Sequence, residues 1–294
     1  MSEVRVSDTL EGSTTLWRYM SLDKFIDLLS MNQLYFAPLA FYMKTDPFEG
    51  FLPAVCLEAD TNSFKGQIGD MLPVLNTLRT LCSDASQEAA RNDLEKVETA
   101  FKNLKDTRKR FFIPMMKSIA VSCWHANPYE SEAMWRLYSE RGKAVAIETT
   151  VEDLKAAIES LASEHLVHIH RVKYVDFFDK SLQPKDCVVE GHRAPLLKRK
   201  PYEHENEVRA FIGRRTPDNE REMQNLDYWR PDPVKLPINV QLLVKRVHVS
   251  PYSSDGLFEN SVKKICEAFG FGTDIVQPSR LLSGQEELLN LLEV

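Results

Sequence analysis

The clearest pattern of apolar and polar positions lies between residues 16 and 50. Residues 16–20 are apolar except for Arg18, which predicts a short strand. Residues 33–37 alternate again and predict a second strand. Between the two strands, apolar residues recur at i, i+3, i+4 and i+7, which predicts a helix with one buried stripe. These residues are Leu22, Phe25, Ile26 and Leu29.

Polar residues mark where several helices begin and end. Ser21 is a predicted N-cap of the first helix, and Asn32 is a predicted left-handed stop. Further along, Thr150 and Asp153 form a capping-box pattern ahead of another apolar stripe.

The remaining pattern predicts an α+β fold. Strands are predicted where short apolar runs lie between polar turns, and the elements lack a strict βαβ rhythm. We therefore predict a mixed, largely antiparallel sheet core flanked by helices. We predict one domain over residues 14–282, with a helical insertion at 60–112 and terminal segments at 1–13 and 283–294. Within the insertion, apolar residues at heptad-like spacing predict one long helix: Ala90, Leu94, Val97, Phe101 and Leu104.

Composition and charge exclude several classes of protein. The formal net charge is −6, so charge does not indicate nucleic acid as a partner. The five cysteines are scattered and none forms a C-x-x-C pair, which favours a reducing compartment. No run approaches the roughly 18 apolar residues of a membrane span, and the polar start lacks a signal peptide. We therefore expect a cytoplasmic location and no membrane partner.

An acidic segment precedes the strand predicted at 207–212. Glu203, Glu205 and Glu207 would share one face if the segment is extended, with Arg209 at the next step. One interpretation is a salt-bridged strand, and the other is a catalytic E-x-E pair. A basic run at 198–200, predicted to end a short helix, either binds phosphate or is a solvated helix face. The sequence motifs of phosphate-loop proteins, Rossmann dinucleotide-binding folds, zincins and α/β-hydrolases are absent.

Three histidines cluster near one predicted strand. His168 and His170 lie on the same face at a spacing of two, and His165 is close by. The cluster either begins a metal site or lies on a solvated strand face. No nearby carboxylate or cysteine completes a ligand set in the sequence, so we predict no metal.

Five segments occur in an order that is similar to one bacterial family. They are LWRYMSLDKFIDLLSMNQLYFA, TDPFEG, VSCW, MWRLYSERGKAVAIE and YEHENEVRAFI. Together they resemble the family called domain of unknown function 2971, over roughly residues 16–282. The chain departs from that pattern in having Thr45 in place of asparagine and Tyr202 in place of tryptophan. Membership of this family implies no particular activity.

The order of elements also resembles the ADP-ribosyltransferase fold. That resemblance implies that Arg18, with Tyr19 beside it, binds NAD and that Ser122 supports the nicotinamide half. It implies that Glu207 is catalytic, with Glu205 beside it. The chain departs from the family's S-T-S pattern, because Ser122 is followed by cysteine and tryptophan.

Three hypotheses about function follow. The first is a bacterial defence- or toxin-type enzyme that transfers ADP-ribose from NAD, a nucleotide-type small molecule, to an unknown macromolecular acceptor. The second is a non-catalytic sensor or binding module in phage defence, with a groove around Trp135, Tyr138 and Asp46. The third is a metal-dependent nuclease toxin that uses Asp46, Glu49 and Glu205.

Overall fold

A ten-stranded sheet lies at the centre of the computed structural model. The structure describes residues 3–81, 92, 95–96, 99, 118–138, 142–213, 232–253 and 256–291. Its strands are β1 (Glu3–Val6), β2 (Thr15–Ser21), β3 (Gln33–Pro38), β4 (Ala120–Ala126), β5 (Ala144–Thr150), β6 (Leu166–Arg171), β7 (Lys173–Val175), β8 (Leu197–Arg199), β9 (Glu207–Ile212), β10 (Val234–Pro237), β11 (Arg246–Val249) and β12 (Val276–Pro278). Its helices are α1 (Leu22–Met31), α2 (Ala54–Leu81), α3 (Glu132–Tyr138), α4 (Val151–Glu159), α5 (Val240–Leu243), α6 (Gly256–Ala268) and α7 (Gln285–Asn290).

The strand order in the main sheet is β1-β6-β9-β4-β2-β5-β11-β12, and β3 joins β4 while also pairing with β10. Only the β1–β6 and β11–β12 pairs of this sheet are parallel. The separate β7–β8 ribbon is also parallel. The prediction of a mixed, largely antiparallel sheet flanked by helices is therefore confirmed.

The sheet divides along one edge of β4. β2 pairs with β4 only near one end, through Leu16 with Ala126 and Trp17 with His125. β3 pairs with β4 only near the other end, at Val121 and Ala120. Between these two short pairings, the middle of β4 has no partner on this edge among the described strands. A gap therefore opens between β2 and β3 at residues 122–124.

The two faces of the sheet pack differently. One face forms the main apolar core with α1, α4, α5 and α6. The opposite face is covered in parts by smaller apolar clusters, which involve α3, the start of α2 and the segment before β8. In β2, Leu16 and Met20 belong to the main core, whereas Trp17 and Tyr19 lie in a cluster of the opposite face. Arg18 therefore projects from the core face, where the gap gives it access to solvent.

The local predictions at helix ends are mostly confirmed. Asn32 ends α1 in the left-handed conformation, with φ of 50°. Thr150 caps α4 by accepting a hydrogen bond from the Asp153 amide. Ser21 precedes α1, but its side chain makes no capping hydrogen bond to the helix backbone.

Several predictions for irregular segments are wrong. The terminal segment predicted at residues 1–13 contributes strand β1 to the sheet edge beside β6. Residues 194–200 form a short 3-10 turn and strand β8 instead of a helix. The acidic segment is not extended, since a 3-10 turn covers Lys200–Glu205 and Asn206 is left-handed. Each error arises where a local backbone turn or a distant strand overrides the apolar pattern.

The described residues cover mainly the first part of the predicted insertion. α2 begins at Ala54 and continues to Leu81. The heptad-like seam from Ala90 to Leu104 lies outside the described residues. None of the described helices combines the length and the apolar character that crossing a membrane would require.

The two helix starts predict different mutational costs. Thr150→Ala removes the acceptor for the Asp153 amide, so it should lower the free energy of unfolding by about 1 kcal/mol. Ser21→Ala is the matched control and should cost less than about 0.5 kcal/mol, because Ser21 makes no such bond. Urea unfolding of both variants measures the difference, and equal costs would contradict the assigned caps.

Candidate functional site

A cleft of about 540 Å³ lies at the gap between β2 and β3. The floor includes residues of β4, and α1, α3 and the turn after β3 supply the walls. The lining combines aromatic, basic and acidic side chains. The aromatic residues are Trp17, Tyr19, Tyr35, Phe41, Tyr42, Trp124 and Tyr138. The charged residues are Arg18, Lys24, Asp27, Glu205 and Glu207.

Arg18 is held in place within the cleft. Its Nη1 donates to Ser122 Oγ at 2.7 Å, and its Nη2 donates to the Tyr35 carbonyl at 3.4 Å. The guanidinium also lies over the Trp124 ring, 5.4 Å from its centroid. Arg18 and Ser122 are therefore brought together, as the fold resemblance implies, although Ser122 itself lies behind Arg18 and does not line the cleft.

Within the part of the chain that the structure describes, no acidic side chain neutralises the charge of Arg18. No carboxylate among the described residues forms an ion pair with it, and its hydrogen-bond acceptors are neutral oxygens. Burial lowers the pKa of Arg18, with weaker opposing effects from tyrosine and cysteine side chains, but a guanidinium stays protonated at neutral pH. A partly buried cation without a counter-charge, facing a cleft, is suited to binding an anion.

The two glutamates lie in a buried ionic network. Arg209 donates to both carboxylate oxygens of Glu207, from Nε at 2.7 Å and from Nη2 at 3.1 Å. Its Nη1 donates to Glu49 at 2.8 Å. Lys198 donates to Glu207 Oε2 at 3.1 Å and also contacts Glu205. Counting described residues alone, the network contains three carboxylates and two cations, which leaves an excess of one negative charge.

This network changes the prediction for the catalytic glutamate. Both oxygens of Glu207 accept hydrogen bonds, and its side chain is 4% exposed. Glu205 is more accessible, with its side chain 22% exposed. Burial opposes ionisation of Glu207, but Arg209 and Lys198 outweigh it and lower its pKa to about 2. Glu207 is therefore a permanent, buried negative charge that adjoins the cleft.

The basic run upstream does not form a phosphate-binding patch. Lys198 is buried in the ionic network. Arg199 donates to Asp46 at 2.6 Å and lies over the Phe48 ring. The predicted site residues Asp46, Glu49 and Arg209 are thus structural ion-pair partners, and none of them lines the cleft.

Of three predicted aromatic site residues, Tyr19 and Tyr138 line the cleft, whereas Trp135 is buried beside Tyr19. Trp135 is fully buried, donates to Glu130 at 2.9 Å and packs edge-on against Tyr19. Tyr19 lines the cleft, but its hydroxyl accepts the Ser131 amide at 2.8 Å. Tyr138 lines the cleft and is 46% exposed. Of these three, only Tyr138 presents a large exposed surface to a ligand.

Tyr42 lies between the two charged sides of the cleft. Its hydroxyl is 3.9 Å from Cys123 Sγ. Cys123, burial and Glu207 raise the pKa of Tyr42, while Arg18 opposes them. Burial and the Glu207 charge also raise the pKa of Cys123, which disfavours its thiolate form. Arg18, Tyr42 and Glu207 all line the cleft, although the strands of Arg18 and Glu207 direct these two side chains to opposite faces of the sheet.

Sequence reasoning missed the residues that shape this cleft. Tyr35, Phe41 and Tyr42 belong to the segment 35–42, which is rich in aromatic residues. That concentration of aromatic residues is the sequence signal that could have identified them. Lys198 was assigned to a helix, and only its buried position shows that it holds Glu205 and Glu207.

Comparisons with protein-family models, curated proteins and solved structures found no match to this chain. The resemblances to the bacterial family and to the ADP-ribosyltransferase fold therefore remain predictions.

Removing Arg209 should destabilise the protein strongly. Arg209→Met leaves Glu207 and Glu49 buried without their shared cation, so the free energy of unfolding should fall by about 3–5 kcal/mol. Arg246→Met is the control: Arg246 pairs with Glu148 on the surface, so its loss should cost at most about 1 kcal/mol. Equal costs in urea unfolding would show that the network is not buried as described.

The low pKa of Glu207 predicts acid sensitivity. Its ordinary value of 4.5 falls to about 2 on folding, so the unfolded chain binds more protons between these values. The stabilisation is complete above about pH 4.5 and is lost as pH falls towards 2. We expect Glu207→Gln to flatten the fall in stability below pH 4.5 in urea titrations. The pKa of Glu148 is also lowered, mainly by its hydrogen bond to His248. Glu148 therefore adds to the loss of stability at low pH in wild type and in Glu207→Gln alike. Identical slopes would contradict this role of Glu207.

Proposed function

We propose that the cleft binds a nucleotide of the NAD class and that the protein is an ADP-ribosyltransferase-like enzyme. The observation that carries the proposal is Arg18, a partly buried guanidinium at the edge of a cleft of about 540 Å³ that has no carboxylate partner among the described residues. A phosphate group supplies the missing counter-charge, and the fork of a guanidinium suits phosphate oxygens.

The rest of the cleft supports the same class of ligand. Tyr35, Phe41 and Tyr138 are each more than a third exposed and offer aromatic surfaces against which a base or nicotinamide ring can stack. Glu205, the accessible carboxylate, can accept hydrogen bonds from ribose hydroxyls. The volume lies within the range of small-molecule sites. Phosphate, ring and sugar are thus each provided with a complementary group.

The charge distribution also supports transfer chemistry. In ADP-ribosyl transfer the bond between ribose C1′ and nicotinamide breaks, and nicotinamide leaves with the bonding electrons. The acceptor then forms a bond to C1′ and loses a proton to solvent. The sugar is positively charged at the transition state, so the uncompensated negative charge of the Glu205–Glu207 network stabilises it more than the ground state. In this proposal Glu205 contacts the sugar and Glu207 acts through charge.

The second candidate is a binding module that recognises the nucleotide without turnover. It is favoured by the burial of Glu207, because a carboxylate that is 4% exposed and already accepts three hydrogen bonds has little capacity left for a ribose hydroxyl. The nuclease hypothesis has less support. Asp46, Glu49 and Glu205 are each paired with a different cation, so they do not form a common acidic site.

The setting of the proposal is a defence- or toxin-type protein in the cytoplasm. The described cysteines are all free, which fits a reducing compartment. The acceptor of the ADP-ribose is a macromolecule of unassigned class.

The test is nucleotide binding by wild type and Arg18→Gln. We expect calorimetry to show NAD and ADP-ribose binding to wild type and at least about tenfold weaker binding to the variant, because a charged hydrogen-bond donor to phosphate is lost. Arg246→Gln, outside the cleft, should bind as wild type does. Arg18→Lys keeps the positive charge but lacks the paired N–H donors of the guanidinium. It replaces Arg18→Gln in the test if that variant does not fold.

Two outcomes would count against the proposal, and a third separates its two forms. Absence of NAD binding to wild type, or unchanged binding by folded Arg18 variants, would overturn it. Release of nicotinamide that falls about 100-fold in Glu205→Gln supports the enzyme. Binding without any release supports the non-catalytic module.

A further inference from the structure

A second cluster of titratable side chains lies outside the cleft, on the face of the sheet opposite the main apolar core. His168 and His170 are neighbours on β6, and His192 approaches them from a turn between β7 and β8. We call these three residues the histidine cluster. One ring nitrogen from each lies within 4.8 Å of the others. His165, the third histidine of the sequence pattern, is not part of the cluster.

A rigid turn places His192. The Val189 amide donates to the His192 carbonyl at 2.8 Å, and the His192 amide donates back at 2.9 Å. The two residues between them, Glu190 and Gly191, have φ of 45° and 84°, as in the tightest type of hairpin turn. The position of His192 is therefore fixed by backbone, although it is 22 residues from His170.

The same turn supplies a carboxylate. Glu190 Oε2 lies 3.4 Å from His170 Nδ1, and Glu190 Oε1 accepts a hydrogen bond from Ser7 Oγ. Thr9 Oγ1 also donates to Glu190 Oε1, at 3.4 Å. A carboxylate that faces one nitrogen of a histidine is the usual means of orienting its ring toward a metal.

The rings of the histidine cluster contact one another, Glu190 and Phe211, and one buried ring nitrogen has no hydrogen bond to a described residue. His170 is 4% exposed, and its Nδ1 makes no hydrogen bond to any described residue. Neutral imidazole, which has a lone pair available, is the form of histidine that binds a metal. All three rings lie against Phe211, which forms an apolar floor.

We propose that His168, His170 and His192 bind a divalent transition-metal ion of the zinc class, with Glu190 orienting His170. Imidazole ligands suit zinc, copper and nickel and do not suit magnesium or calcium. Three nitrogens bound to zinc at about 2.0–2.1 Å lie about 3.3 Å apart, so side-chain adjustments of roughly 1 Å close the site. Three protein ligands leave the fourth tetrahedral position for water, as in catalytic zinc sites. The proposal does not depend on nucleotide binding in the cleft.

The experiment titrates the metal-free full-length chain, without an affinity tag, with zinc in competition with a chromophoric chelator. We expect one zinc ion per chain and no competition from a thousandfold excess of magnesium. His170→Gln and His192→Gln should weaken binding at least about 100-fold, and Glu190→Gln about 10–100-fold. His165→Gln is the matched control and should bind zinc as wild type does.

A measurement on the unmodified chain guards against variants that fail to fold. Zinc should protect His168, His170 and His192 from acylation by diethyl pyrocarbonate, as mapped by mass spectrometry, and should leave His165 reactive. The proposal would be overturned if wild type did not bind zinc stoichiometrically. It would also be overturned if the folded His170 and His192 variants bound zinc as tightly as wild type, or if zinc protected His165 alone.

Discussion

The arrangement of charges around the cleft depends on the ion pairs of the buried Arg209 guanidinium. The guanidinium ties Glu207 on β9 to Glu49 in the corner after β3, so it joins the sheet to the segment that covers it. Two carboxylates buried this deeply are costly unless a cation with several hydrogen-bond donors satisfies both of them. The bidentate contact from Arg209 also holds the Glu207 carboxylate as a buried negative charge beside the cleft.

The divided sheet explains why a cleft forms beside that charge. β4 is paired at both ends with different strands, so the middle of its edge is open and polar side chains can enter between β2 and β3. Arg18 occupies the opening from the core face, and Glu207 reaches the same space from the opposite face. A continuous sheet would have separated these residues. The position of Arg18 and Glu207 on one cleft therefore follows from strand pairing and not from sequence proximity.

The sequence allowed prediction of those features that depend on short-range pattern. The period of apolar residues predicted α1 and the strands around it, and the capping role of Thr150 followed from a three-residue spacing. Arg18 and Ser122 were predicted together from the order of elements, and the structure joins them by a hydrogen bond. The extended reading of Glu203–Glu207 failed because Asn206 adopts φ of 39°, which the apolar pattern does not encode. The burial of Lys198 and the approach of His192 depend on contacts between distant segments, which no local period reports.

Arg209 also connects the two candidate sites. It lies opposite His170 in the β6–β9 pairing, and Phe211, two residues further along β9, supports the histidine cluster. β9 thus carries Glu207 toward the cleft and Phe211 beneath the histidines on the same face. A metal ion beside His170 would add positive charge near a guanidinium that already neutralises Glu207. Arg209 is paired with two carboxylates and belongs to a network in which the described negative charges outnumber the positive ones. This excess of negative charge offsets the repulsion between an added cation and Arg209.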